Sequence, residues 1–160
     1  MNNLSIRHAN TNDLPLLLAM IHELAEAEGF PHGVSVTEAV LRDSLFGARP
    51  AAEALVGEVA GEPAAFAVFY ESFATTTGRR GLHLDDLFVR PQFQGAGCGK
   101  ALMAHIAGIA VERRCARFEW WALRSNASAL RFYEGIGARQ VDELIVHRLQ
   151  GDDIDRLARS

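Results

Sequence analysis

The feature that most constrains the structure of this chain is a glycine-rich run between a predicted strand and a predicted helix. It reads Gln94-Gly95-Ala96-Gly97-Cys98-Gly99-Lys100 and follows the apolar segment Leu84-Asp85-Asp86-Leu87-Phe88-Val89. Glycines at alternate positions allow a tight backbone turn and the close approach of a ligand. The unpaired N–H groups of a helix N-terminus favour an anion, typically a phosphate. The run therefore predicts a site for a phosphorylated ligand.

The residue spacing excludes two familiar phosphate-binding motifs. A P-loop needs a glycine five residues before Gly-Lys and a hydroxyl residue after it. The chain has Gln94 and Ala101 at those two positions. A dinucleotide fingerprint needs its third glycine at position 100 or 102, where the chain has Lys100 and Leu102. A glycine-rich turn that holds no ligand is the alternative interpretation.

Size and composition indicate a single soluble domain over residues 1–160. The 160 residues are 49% apolar and 22% charged, as in ordinary globular proteins. The net charge of −4 argues against a nucleic-acid partner. No apolar run is long enough to span a membrane, and the N-terminus lacks a secretory pattern, so we expect a cytoplasmic protein. The two cysteines, Cys98 and Cys115, have no metal-binding spacing, and we expect no metal.

Hydrophobic periodicity predicts an α/β fold with a mixed central sheet flanked by helices, in the order βααβββαβαβ. The predicted strands cover residues 5–9, 54–60, 64–73, 82–89, 117–123 and 141–149. The predicted helices cover residues 13–28, about 37–46, 99–114 and 126–135, with a short terminal helix over 151–159. Thr37 and Asn126 are the predicted N-caps of two of them.

Two sequence blocks together carry a resemblance to a known family. The first, Gln94-x-x-Gly97-x-Gly99, resembles the acetyl-CoA loop of the GNAT superfamily of N-acetyltransferases. The second is Asn126-x-x-Ala129-x-x-Phe132-Tyr133-x-x-x-Gly137. Further segments are similar to the diamine (spermidine/spermine) acetyltransferase subfamily, which includes enzymes that acetylate thialysine; they are Ile6-Arg7, Ile21-x-Glu23-Leu24-Ala25-x-x-Glu28, Leu84-Asp85-Asp86-x-Phe88-Val89 and Arg148-Leu149. This resemblance implies a homodimer.

The resemblance implies how acetyl-CoA is bound. The backbone N–H groups of Gly95 to Lys100 would hold the pyrophosphate, which agrees with the anion site inferred from the glycines. Gln94 would belong to the same cofactor-binding loop. The pantetheine arm would pair with the strand edge Leu87-Phe88-Val89, as an added strand does. Asn126 and Ala129 would contact the same arm, although Asn126 also suits a plain N-cap. The charge of Lys100 near phosphate is either functional or coincidental.

The resemblance also implies catalytic roles. Tyr133 would be the general acid that protonates the leaving thiolate, since a tyrosine hydroxyl can serve a thiolate whose pKa is about 8.5. Asp85 would be the base, acting through water, and either Asp85 or Asp86 can fill that role. Simple strand alternation places these two side chains on opposite faces. A core aromatic and a solvated acid pair are the structural alternatives.

By the same resemblance, substrate recognition is assigned to acidic residues, since an amine substrate is a cation at neutral pH. They are Glu28, Asp85, Asp86 and Glu119. The predicted function is acetyl transfer from acetyl-CoA to a small cationic amine, such as a polyamine, diamine or thialysine-like amino acid. The alternatives are a non-catalytic acyl-CoA sensor on the same fold and an acetylase of a peptide amine.

Overall fold

A five-stranded sheet organises the first part of the chain. The computed structural model describes residues 3–30 and 33–160, so Pro31 and His32 lie outside the described residues. The strands lie in sequential order; β1 to β4 are antiparallel and β5 is parallel to β4. They are β1 (Leu4–His8), β2 (Glu53–Val59), β3 (Glu62–Ala74), β4 (Arg79–Val89) and β5 (Arg117–Trp120). The predicted mixed sheet is confirmed.

The described residues form five helices, whose ends follow local sequence signals. They are α1 (Leu14–Glu28), α2 (Glu38–Phe46), α3 (Cys98–Glu112), α4 (Ala127–Gly135) and α5 (Asp152–Ala158). α1 ends at Gly29, whose φ of 68° is left-handed. The predicted cap Thr37 accepts a hydrogen bond from the Val40 N–H at 3.3 Å. No helix within the described part of the chain is both long and apolar enough to cross a membrane.

Both faces of the sheet bury apolar side chains. Residues of α1 and α2, including Leu17 and Leu45, pack against Val56 and Phe66 on one face. Alternation sends the neighbouring side chain of Leu55 to the other face, where α3 packs across the strands. Both Leu55 and Phe66 are fully buried. The predicted sheet flanked by helices is therefore confirmed.

The chain divides into two compact units, Met1–Trp121 and Ala122–Ser160. The first contains the sheet with α1, α2 and α3, and the second contains α4 and α5. In the second unit, the Asn126 side chain accepts a hydrogen bond from the Ala129 N–H at 3.1 Å, which confirms it as an N-cap. The assignment of residues 1–160 to one domain stays a prediction.

The strand predicted over residues 141–149 is wrong. This segment forms no ladder, and its apolar side chains are exposed, with Leu144 at 72% and Ile145 at 79%. Apolar content and alternation indicate that a segment can form a strand, but a strand needs a neighbour to bond its N–H and C=O groups. The described chain offers residues 141–149 no such neighbour, so the observed order ends in helices α4 and α5.

Candidate active site

The glycine loop joins β4 to α3 in a conformation that requires glycine. Gly95 and Gly97 have φ values of 82° and 87°, in the left-handed region that side chains disfavour. A Cβ at either position would meet no other atom within 4 Å. The backbone conformation therefore explains these glycines, and the space beside them is open. A ligand can approach the loop backbone directly, as the sequence predicts.

The loop ends at the first turn of α3. Gly97 is the N-cap and provides no side-chain hydrogen bond, so the first-turn N–H groups are available to an anion. Gln94 donates its side-chain N–H to the Val89 carbonyl at 3.3 Å, which ties the loop back to β4. Cys98 is buried, and burial raises the pKa of its thiol. Only the backbone of Cys98 suits ligand binding, while Lys100 is exposed.

β4 has an open edge immediately before this loop. Among the described residues, β5 pairs with β4 only over Gly81 to Leu84. Beyond that point, Leu87, Phe88 and Val89 stay paired with β3 on one side and have no strand on the other. Phe88 is buried and its ring centroid lies 6.3 Å from that of Phe66, which anchors the strand to the core. The arrangement fits an extended ligand lying along this edge.

A β-bulge interrupts β4 at the acid pair. Val68 pairs with Asp86, whereas Phe69 pairs with Leu84, so Asp85 is the extra residue. A bulge breaks the alternation of side chains and bends the strand. The sequence argument that placed Asp85 and Asp86 on opposite faces therefore does not apply here. Asp85 is exposed, and Asp86 is mostly buried.

Two of the predicted acids, Glu28 and Asp86, line one cavity of about 190 Å³. α1 supplies Glu28 and the apolar residues of one wall, and β4 supplies Asp86. The lining residues are Ile21, Leu24, Ala25, Glu28, Phe30, Gly33, Val34 and Asp86. We call this cavity the acid pocket. It combines an apolar wall with two carboxylates, which suits an alkyl ammonium group.

The electrostatics of the acid pocket favour a bound cation. Burial raises the pKa of Asp86 to about 6, with further increases from the charges of Asp85 and Glu28. Burial also raises the pKa of Glu28. Asp86 is therefore the poorly solvated carboxylate of the pocket, whereas Glu28 is exposed. A positively charged ligand would relieve this cost by supplying the missing opposite charge.

An arginine links the two walls of the acid pocket, α1 and β4. Arg90, at the end of β4, donates from Nε and Nη2 to both carboxylate oxygens of Glu23 on α1, at 2.9 and 2.7 Å. Its Nη1 also donates to the Pro63 carbonyl at 3.0 Å. Such a bidentate pair fixes geometry as well as charge. α1 and the loop-proximal end of β4 are therefore linked next to the pocket.

The sequence analysis did not single out Tyr70, which lies on the same stretch of sheet. Its pKa is raised by burial and then by the charges of Asp85 and Glu119, so both carboxylates act on one phenol. The buried ring of His83 stacks on Tyr70 at 5.0 Å and packs edge-on against Trp121 at 5.0 Å. Only the strand register brings these residues together, so no local signal could have found Tyr70.

His83 is thus accounted for by ring packing. Within residues 3–30 and 33–160, no group of three or more His, Cys, Asp or Glu side chains could hold a metal ion. The partly buried Trp120 contacts Phe118 at 5.0 Å, whereas Trp121 is 60% exposed. Glu119 is half-exposed and lies on β5 opposite His83.

The remaining predicted site residues belong to the second unit. Asn126 caps α4 and bonds to Ala129. Tyr133 lies on α4, with its ring centroid 5.3 Å from that of Phe132. The structure therefore brings together Glu28, Asp85 and Asp86 in the first unit, and it groups Glu119 with Tyr70. The roles of Asn126, Ala129 and Tyr133 towards the reacting groups stay predictions.

Comparison with curated proteins finds acetyltransferases along nearly the whole chain. A thialysine N-epsilon-acetyltransferase of Sus scrofa is 33% identical over 151 residues, covering 89% of this chain and 88% of the relative. An L-ornithine N5-acetyltransferase of Arabidopsis thaliana is 25% identical, covering 95% of this chain and 86% of the relative.

The fold is also found in solved structures. An integron cassette protein from the mobile metagenome of V. cholerae has a TM-score of 0.83 and 25% identity, over 98% of both chains. Residues 17–138 match the acetyltransferase (GNAT) family. This match covers the acid pocket on α1 and β4, the glycine loop and α4. The chain therefore belongs to the GNAT family of acetyltransferases, and it is an acyltransferase.

Proposed function

We propose that this enzyme transfers the acetyl group of acetyl-CoA to a primary amine of a small cationic substrate. The acid pocket carries the proposal, because its poorly solvated carboxylate, Asp86, lies on the strand that leads into the glycine loop, and Glu28 of α1 lines the same pocket. The relatives named for thialysine and ornithine acetylation support an amine as acceptor. Donor and acceptor would both be bound before transfer, and the amine would attack the thioester directly.

The donor is assigned to the open edge of β4 and the glycine loop. The pantetheine arm would bond to the free backbone edge of Leu87, Phe88 and Val89, as an extra strand does. The pyrophosphate would lie against the N–H groups of residues 95–100. Asn126 and Ala129 would complete the contacts of the arm.

The acceptor must lose a proton before it can attack. An alkyl ammonium has a pKa of about 10.4, so the reactive form at pH 7 costs roughly 4.6 kcal/mol. A base works best when its pKa lies near the operating pH. The pKa of Asp86 is raised to about 6, which makes it a stronger base than an ordinary aspartate. We therefore favour Asp86 as the base and assign Asp85, the residue favoured by the family resemblance, to the charge that raises this pKa.

Tyr133 is proposed as the acid that protonates the departing thiolate. The support is the match of Asn126 to Gly137 with the family's second block. Replacing Tyr133 with Phe should lower kcat about a hundredfold while leaving acetyl-CoA affinity nearly unchanged, because only the proton donor is lost. Single-turnover kinetics and calorimetry with acetyl-CoA measure the two effects separately. An unchanged kcat would remove Tyr133 from the mechanism.

A homodimer is proposed as the working form. The exposed apolar segment over residues 141–149, which has the alternation of a strand but no neighbour, supports it. Sedimentation equilibrium should give twice the mass of one chain. A monomer at every concentration would contradict the dimer and leave the acid pocket unaffected.

The experiment that tests the proposed function is thiol release from acetyl-CoA across a panel of amines. Diamines, polyamines, lysine analogues, aminoglycosides and peptides cover the acceptor classes. Release should require an amine and should favour small cationic compounds. Binding of CoA without release from any member of the panel would contradict the proposal and favour an acyl-CoA sensor.

A further inference from the structure

We propose that Arg117 and Glu119 on β5 bind the α-carboxylate and α-ammonium groups of an amino acid whose side-chain amine is acetylated. This inference rests on the proposed function and narrows its acceptor to α-amino acids with a terminal amine. Arg117 would be a specificity-determining residue, since it would contact the substrate but take no part in the chemistry.

The first support is the placement of the pair on the sheet. Arg117 and Glu119 are two residues apart on β5, so their side chains share a face. The Arg117 Nε lies 3.4 Å from the Glu119 Oε1, and each side chain is about half-exposed, at 45% and 44%. The two opposite charges are adjacent and reachable, which is the arrangement that a zwitterionic head group requires.

The distance to the acid pair suits a lysine-sized side chain. Glu119 lies opposite His83, and Asp85 is two residues further along β4. Strand spacing and rise place the Cα atoms of Glu119 and Asp85 about 8 Å apart. An extended lysine side chain spans about 6 Å from Cα to its terminal nitrogen, given five bonds of roughly 1.5 Å. The charges of both carboxylates raise the pKa of Tyr70, so both lie near its phenol.

The acidic residues around this site make Arg117 the residue that decides between an amino acid and a diamine. Glu28, Asp85, Asp86 and Glu119 would all repel a substrate carboxylate. An acidic surface with no cation would therefore reject amino acids and favour diamines. Arg117, two residues before Glu119 on β5, would reverse that preference for a ligand whose carboxylate lies at that end.

The fold leaves room for the Arg117 side chain. Gly81 on β4 pairs with Arg117, and a Cβ at Gly81 would lie 2.9 Å from the Arg117 Cγ. The absence of a side chain at this position lets the aliphatic part of Arg117 lie across the sheet.

The test compares ligands that differ only in the carboxylate. L-lysine, L-ornithine and thialysine are each paired with the corresponding carboxamide and with the decarboxylated diamine. The wild-type enzyme should have a lower KM for each amino acid than for its carboxamide. In Arg117→Gln, KM for the amino acids should rise about tenfold or more, because a charge-assisted contact is lost. The carboxamides should be unaffected, and kcat should stay within about twofold for all ligands.

A matched control is Arg42→Gln on α2, which removes an arginine from another exposed pair, that with Glu38. It should leave all KM values unchanged. Equal effects of Arg117→Gln on amino acids and carboxamides, or no effect on either, would overturn the inference.

Calorimetric binding of lysine and lysinamide separates this inference from the proposed function. A preference of the wild-type protein for lysine that Arg117→Gln abolishes supports the site even if no thiol is released. Equal binding of the two ligands by the wild-type protein overturns it. Failure of acetyl transfer to every amine, in contrast, contradicts the proposed function itself.

Discussion

The molecule contains two groups of carboxylates in opposite environments, one paired with arginines and one beside other acids. Glu53 and Glu71 border a cavity of about 460 Å³ beside β2 and β3, and Arg113, which follows α3, bonds to both, at 2.9 and 3.0 Å. Arg80 also pairs with Glu71. We call these four residues the ion-paired cluster. Glu28 and Asp86 border a smaller cavity, and the neighbours that act on Asp86 are acids.

This difference teaches that charge compensation, rather than cavity size, distinguishes the candidate site. The acids of the larger cavity already have their arginines, so a cation has little to gain there. Asp86 of the acid pocket is poorly solvated and experiences the like charges of Asp85 and Glu28, which costs stability until a cation binds. Stability is thus given up in one region for function and is secured by ion pairs in the other.

The largest expected effect comes from neutralising the buried acid. Asp86→Asn should lower kcat/KM for the amine by about a hundredfold or more, because the base and part of the cation site are lost together. Thiol release measures the loss. Acetyl-CoA affinity should not change, and a comparable loss in that affinity would point to a distorted β4 instead.

The same substitution should stabilise the protein at neutral pH. The pKa of Asp86 is about 6 in the folded state and 3.8 unperturbed, so ionisation opposes folding by at most about 3 kcal/mol. Below about pH 4, Asp86 is protonated in both the folded and the unfolded protein, and its ionisation costs no stability. The destabilisation grows between about pH 4 and 6 and is complete at higher pH. The melting temperature of Asp86→Asn should therefore be higher than that of the wild type at pH 8 and equal to it near pH 4. A lower melting temperature at pH 8 would show that the carboxylate is well solvated.

Removing a charge from the ion-paired cluster should lower stability instead of raising it. Arg113→Ala leaves Glu53 without its bidentate partner and should destabilise the fold by about 1–2 kcal/mol, with turnover unchanged. Arg42→Ala, which breaks an exposed pair with Glu38, should cost no more than about 0.5 kcal/mol. Urea denaturation measures both. Equal costs for the two variants would mean that the cluster contributes no more than a surface pair.

Local features of the sequence predicted the backbone of the glycine loop and the starts of α3 and α4 well. The glycine loop, the cap at Asn126 and the helix that starts after Gly97 depend on neighbouring residues, and the structure has each of them. The acid Glu28 was found through the family resemblance, and the structure places it beside Asp86. Backbone conformation and capping are decided over a few residues, which explains this success.

Long-range features could not be predicted in the same way. The bulge at Asp85 depends on the register between β3 and β4, and the proximity of Tyr70 to Glu119 depends on three strands. The strand expected over residues 141–149 failed for the same reason, since alternation cannot supply a neighbouring strand. Which aspartate is buried also followed from the bulge and not from the sequence.

The most direct test of the acid pocket as the site of amine activation is the pH dependence of kcat/KM in wild type, Asp85→Asn and Asp86→Asn. The wild type should lose activity as the pH falls through about 6, where Asp86 takes up a proton. In Asp85→Asn this limb should move to lower pH by less than about one unit, because a charge that raises the pKa is removed. In Asp86→Asn the limb should disappear, and a limb that persists there at the wild-type pH would contradict the account.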